Sequence, residues 1–108
     1  MMTWHVCLIE AAEKELNALP ADLKARFLRV AELLETFGAQ KVGLPHVRPL
    51  EGKLWEMRMS GKDGIARAAY VAASGKRLIV LHVFVKKTQK TPRHAIETAW
   101  ARLKELEP

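Results

Sequence analysis

Two periods of apolar residues divide the chain. Up to about residue 37 they recur every three or four positions, and beyond residue 54 they alternate or run together. The first spacing marks one face of a helix and the second marks strands. Residues 4–8, Trp4-His5-Val6-Cys7-Leu8, are short and apolar-rich and predict an opening strand. From Glu10 the period turns helical, with Ala12, Leu16 and Leu19 on one side. Pro20 ends that helix, and Asp22 is a candidate cap for the next. Leu23, Phe27, Val30, Leu34 and Phe37 then define an amphipathic helix that Gly38 can stop.

Residues 40–52 hold two glycines and two prolines and read as a loop. Over residues 54–60, Trp55, Met57 and Met59 point one way, and Glu56, Arg58 and Ser60 the other. Gly61-Lys62-Asp63-Gly64 signals a hairpin turn, residues 65–73 the return strand, and Ser74-Gly75-Lys76 a second turn. Residues 77–85 are nearly continuously apolar, as expected of a central strand. A basic loop over residues 86–92 leads to a helix over residues 93–106, with Ile96, Ala99, Trp100 and Leu103 on one face. The expected architecture is α+β: an N-terminal strand and helical hairpin, a three-strand antiparallel meander, and a C-terminal helix. The helices are expected on one face of the sheet, forming one domain over residues 1–108.

Composition adds exclusions. At 49% hydrophobic and 28% charged, the 108 residues have a globular balance. No apolar run nears the roughly 20 residues that span a bilayer, and Met1-Met2-Thr3-Trp4-His5 lacks a secretory leader's pattern. Cys7 is the only cysteine, and His5, His46 and His94 are scattered, so no metal or other cofactor is expected. No Ser/His/Asp grouping, phosphate-binding glycine loop or dinucleotide fingerprint is present. The expected location is the cytoplasm, without membrane attachment.

The net charge of +6 is uneven: residues 1–40 carry −2, and residues 41–108 carry +8. A basic half suits a polyanionic partner, with a merely solvated surface as the competing reading. Strand parity sharpens the choice. Ile79, Leu81, Val83 and Val85 are expected to face the helices. Leu78, Val80, His82, Phe84 and Lys86 then share the other face, where Arg58 and Arg67 can converge with His82 and Lys86. Arginine grips phosphate through a planar fork and stays charged when buried. Histidine transfers protons near neutral pH, and lysine does so when neighbouring positive charge lowers its pKa. A ring such as Phe84 can support an unstacked base.

The stretch from residue 45 to residue 106 carries a recognisable series. It runs Pro45-His46-Val47-Arg48-Pro49-Leu50, then Gly52-Lys53-Leu54-Trp55-Glu56-Met57-Arg58, then Arg67-Ala68-Ala69-Tyr70. It closes with Leu81-His82-Val83-Phe84-Val85-Lys86-Lys87-Thr88-Gln89-Lys90-Thr91-Pro92. In this order the segments resemble the RelE/ParE superfamily of bacterial toxins, most closely its phage-related HigB-like branch. The resemblance implies the toxin of a type II toxin–antitoxin pair, an mRNA interferase that cuts messages in the ribosomal A site. Cleavage would use the RNA's own 2′-hydroxyl, without metal, and leave a 2′,3′-cyclic phosphate. A helix-turn-helix, HigA-like antitoxin would be the partner. The family's basic residues fall on Arg58, Arg67 and Lys86, with His82 as a possible acid or base. Lys87, Lys90, Lys53 and Phe84 are the expected RNA or ribosome contacts. Where many members have bulkier residues this chain has only Ala68-Ala69. ParE-like gyrase inhibition and non-catalytic nucleic-acid binding are the alternatives.

Overall fold

The computed structural model describes residues 3–62, 64–87 and 90–106. Asp63 of the expected turn, Thr88 and Gln89 of the basic loop, and Met1-Met2 lie outside the described residues. Elements follow in the order β1 (His5–Leu8), α1 (Glu10–Asn17), α2 (Ala21–Phe37), β2 (Val47–Glu51), β3 (Leu54–Gly61), β4 (Gly64–Ala73), β5 (Arg77–Lys86) and α3 (Arg93–Leu106). The strands form one five-stranded sheet in the order β1-β5-β4-β3-β2. β1 runs parallel to β5, and the other pairings are antiparallel. The turn at Ser74-Gly75-Lys76 closes with positive φ at Gly75 and Lys76, the backbone that tight hairpins require.

The α+β expectation holds, with three corrections. First, the segment expected to be a loop contains β2. Pro49 within it and Pro45 just before it disguised it, but β2 is an edge strand, where a missing N–H costs no ladder bond. Second, the helices do not share one face. α1 and α2 cover Met57, Met59, Ala66, Ala68, Tyr70, Leu78, Val80 and Val83. α3 packs on the opposite face, over Ala69, Val71, Ile79 and Leu81. Ala68 and Ala69 are thus small because each lies fully buried beneath a helix, one on either side. Third, a bulge breaks the parity of β5. Tyr70 pairs with Val80 and Ala69 with His82, which leaves Leu81 as the extra residue. Leu78 and Val80 therefore join the α1/α2 core with Val83, while Ile79 and Leu81 turn toward α3.

Helix ends also depart in detail. Pro20, not Asp22, occupies the α2 N-cap position. Asp22 lies in the first turn, packed so close to Gly61 that any side chain at 61 would collide with its carboxylate. Gly38 does end α2, in a left-handed conformation (φ 89°) with Trp4 packed against it. Glu51 fastens α3 to the sheet. It accepts hydrogen bonds from Arg93 Nη1 (2.7 Å) and Trp100 Nε1 (2.6 Å). No described helix is long and apolar enough to cross a membrane.

Candidate active site

α3 covers the end of its sheet face nearest Ala69 and Val71, and the rest of that face carries charge. β3 and β4 pair with Arg58 directly opposite Arg67. Like charges opposed across an antiparallel pair are unfavourable, so a counter-charge is needed. Glu56, two residues before Arg58 on the same face, supplies it and is completely buried. Its Oε2 lies 3.2 Å from Arg48 Nε, 3.3 Å from Arg58 Nη1 and 3.6 Å from Arg67 Nε. Its Oε1 accepts a 2.7 Å hydrogen bond from the Thr91 hydroxyl, tying the segment before α3 to the cluster. Arg48 arrives on β2, directly opposite Glu56. Arg67 is buried and also donates to the Ala66 carbonyl oxygen at 2.9 Å.

Lys86 ends β5 opposite Ile65 and is buried on the same face. Burial first, then the positive field of Arg67, pulls its pKa down to about 8; Arg58 and Arg48 add to the fall and Glu56 opposes it. Arg67 is shifted in the same direction, by burial and by Arg58 and Arg48 against the pull of Glu56, yet a guanidinium remains charged. Among the described residues four cations therefore gather about one carboxylate, an excess of positive charge in a partly desolvated place. Such a site favours a bound anion, and one gaining charge most of all.

The lysine shift has a direction that can be tested. In the unfolded chain Lys86 keeps its proton to about pH 10.5, whereas the folded chain releases it near 8. Between these values the unfolded state binds more protons, so the Lys86 contribution makes the protein more stable as pH rises. Urea unfolding at pH 8 and pH 10 is expected to show that gain in wild type and a smaller one in Lys86→Met.

His82 lies two residues from Phe84 on β5, and the two rings stack with centroids 4.8 Å apart. Phe84 pairs with Arg67 across the sheet. The His82 Nδ1 is 3.1 and 3.0 Å from the two carboxylate oxygens of Glu15 on α1. Glu15 also accepts from the Val83 backbone N–H (2.9 Å) and from Arg102 Nη1 on α3 (2.8 Å). Burial works against the Glu15 carboxylate, but the bonds from Arg102, Val83 and His82 outweigh it and hold its pKa below the usual range. The His82 pKa is pushed down, chiefly by burial, with Glu15 opposing.

The sequence-predicted residues thus divide. Arg58, Arg67 and Lys86 come together, and His82 and Phe84 continue the same face along β5. Lys87 and Lys90 are exposed on the segment leading to α3. Lys53 stands apart in the β2–β3 turn, lining a hollow with Trp4, Trp55 and Tyr70. Sequence reasoning missed Arg48, Glu56, Thr91, Glu15 and Arg102 as members of these clusters. The alternation had put Glu56 beside Arg58, which was a usable signal; Glu15 gave none, since its partner is 67 residues away. Among the described residues no group of three or more His, Cys, Asp or Glu is placed to hold a metal ion.

A model of the family described as "Phage derived protein Gp49-like (DUF891)" matches residues 14–104. The chain is similar to RelE in the archaeal RelE–RelB complex of Pyrococcus horikoshii OT3, at 26% identity and a TM-score of 0.55. That match covers 78% of this chain and 96% of the other. It is also similar to a variant of the E. coli toxin RelE with two arginines changed to alanine, in the free state, at 15% identity and a TM-score of 0.66. That match covers 98% of this chain and all of the other. No curated protein matches.

Proposed function

The chain belongs to the phage-derived Gp49-like family, within the RelE superfamily of toxins, and we propose that it is a ribosome-dependent, metal-independent mRNA endonuclease. The observation that carries this reading is the group Arg48, Arg58, Arg67 and Lys86 about the buried Glu56. Its surplus positive charge fits a phosphodiester passing through a pentacovalent transition state.

In the proposed reaction the 2′-oxygen attacks phosphorus and the bond to the 5′-oxygen breaks. The products are a 2′,3′-cyclic phosphate and a free 5′-hydroxyl, so no oxidant or metal enters the balance. Arg58 and Arg67 hold the non-bridging oxygens as their charge grows. Lys86, charged at neutral pH but with its pKa lowered to about 8, gives a proton to the departing 5′-oxygen. Phe84 supports a base, and the exposed Lys87 and Lys90 meet the RNA or ribosomal backbone. Lys53 lies roughly 17 Å along β3 from Arg58 at strand rise, so it would touch RNA only outside the cleavage centre. An antitoxin partner belongs to this reading, because the P. horikoshii relative is solved as a complex with RelB. We assign it the helix-turn-helix, HigA-like form, and the toxin a cytoplasmic site of action.

The test is primer extension on a defined message in a reconstituted translation system. Wild type is expected to cut at A-site codons only with ribosomes present. A single 2′-deoxynucleotide at the scissile position should abolish that cut and leave other sites intact. Cutting of the deoxy message would remove the proposed nucleophile. No cutting by folded protein would point to gyrase, which a supercoiling assay reads directly.

A further inference from the structure

The cluster of Glu15, His82 and Arg102 lies beside the cation group and is not used by the phosphate chemistry above. Its geometry fixes a tautomer. Both Glu15 oxygens lie within 3.1 Å of His82 Nδ1, and a carboxylate only accepts. The ring proton therefore sits on Nδ1. Arg102 Nη1, although 3.2 Å from the same nitrogen, also only donates; its bonds go to Glu15 (2.8 Å) and the Leu81 carbonyl oxygen (3.0 Å). The lone pair is left on Nε2. That atom has no partner among the described residues and is not one of their buried, unpartnered polar atoms, so it meets solvent.

The sheet register places that lone pair usefully. Arg67 stands opposite Phe84, with His82 two residues to one side along β5 and Lys86 two residues to the other. His82 and Arg67 are diagonal neighbours, roughly 7–8 Å apart along the backbone, within reach of a shared phosphate. In-line displacement needs a proton acceptor at the attacking oxygen and a donor at the departing one, on opposite sides of phosphorus. His82 and Lys86 flank Arg67 in that way.

We propose that Glu15 is a positioning residue that holds His82 with its Nε2 open to accept the 2′-hydroxyl proton, completing the cleavage site proposed above. The proton moves from the 2′-oxygen to Nε2, and the imidazolium so formed is stabilised by the Glu15 carboxylate. Arg102 fixes that carboxylate and ties α3 to the arrangement. The groups facing His82 are Glu15 from α1, and Arg102 and His94 from α3.

This inference rests on the nuclease reading, so its test has two arms. In the first, single-turnover cleavage of ribosome-bound message is followed from pH 5.5 to 8.5 with wild type, Glu15→Gln, His82→Gln and the double variant. His82→Gln is expected to slow cleavage about a hundredfold and Glu15→Gln about tenfold. The acidic limb of Glu15→Gln should move to lower pH, because the charge that favours the imidazolium is gone. The double variant should be no slower than His82→Gln alone. A Glu15→Gln protein with the wild-type rate and profile, or a double variant slowed by the product of the two effects, would overturn the proposal. The second arm needs no activity: nitrogen-15 NMR of the histidine rings at neutral pH. Wild type should show His82 protonated at Nδ1, and Glu15→Ala should mix the tautomers. Protonation at Nε2 in wild type would sink the inference by itself. Failure of wild type to cut RNA would instead remove the nuclease reading while leaving the Glu15–His82 pair as measured.

Discussion

Arg67→Ala is expected to lose toxicity and to slow message cleavage by about 10²–10³-fold, the usual cost of removing one preorganised donor from a developing oxyanion. The protein should remain folded. Arg67 is buried opposite Arg58, so its removal relieves a like-charge contact and leaves Glu56 with Arg48 and Arg58. Against that relief stands the cavity left by one of the largest fully buried side chains, so the expected pattern is a severe kinetic defect with a lowered thermal midpoint but a single cooperative melt. Arg67→Lys should recover only part of the rate, because an ammonium cannot present the planar fork that grips two phosphate oxygens. Cell growth arrest, single-turnover cleavage and a melting curve on the same preparations give the comparison. A folded Arg67→Ala protein that still cuts at the wild-type rate would remove Arg67 from the site, and with it the main support for the phosphate assignment.

The convergence of Arg58, Arg67 and Lys86 was legible in the sequence because alternation is a local property. Arg58 follows Glu56 at the strand period, and Arg67 lies opposite Arg58 across a hairpin whose short turn fixes the register. Lys86 was legible for another reason: the bulge at Leu81 precedes it, so parity counted within residues 82–86 still held. Counted from Leu78 the same parity failed, because one extra residue reverses every side chain before it relative to those after it. β2 was hidden by Pro45 and Pro49, which deny a central strand and permit an edge one. With β2 hidden, Arg48 had no reason to approach Glu56. The Glu15–His82 pair was beyond reach for a different reason. β1 is four residues long and pairs only with residues 77–80 of β5, so the next stretch of that edge is left for α1 to cover. Glu15 accepts from the Val83 N–H beyond the end of β1 and meets His82 in doing so. The placement follows from the length of a strand rather than from any motif.

Glu56→Ala is expected to be the most destabilising single change on this face, at about 3–5 kcal/mol, the cost of leaving buried charge without its partner. For a chain of this size that is a fall in thermal midpoint on the order of 15 °C. Glu56 is fully buried, and three guanidinium groups lie within 3.6 Å of one of its oxygens while Thr91 donates to the other. Without the carboxylate, Arg48, Arg58, Arg67 and Lys86 repel one another where water screens them poorly. Glu56→Gln keeps the volume and an acceptor for Thr91 but not the charge, so its loss should be smaller than that of alanine. If repulsion is the cause, two remedies should work. Adding Arg58→Ala to Glu56→Ala should return part of the lost stability, a non-additivity expected of groups in contact. Phosphate or sulfate should raise the Glu56→Ala midpoint more than the wild-type one, since an anion bound only by the folded state stabilises it in proportion to its affinity. Urea and thermal unfolding with and without phosphate read both effects. A Glu56→Ala protein as stable as wild type, or one indifferent to phosphate, would mean that the four cations are solvated separately and do not form one anion site.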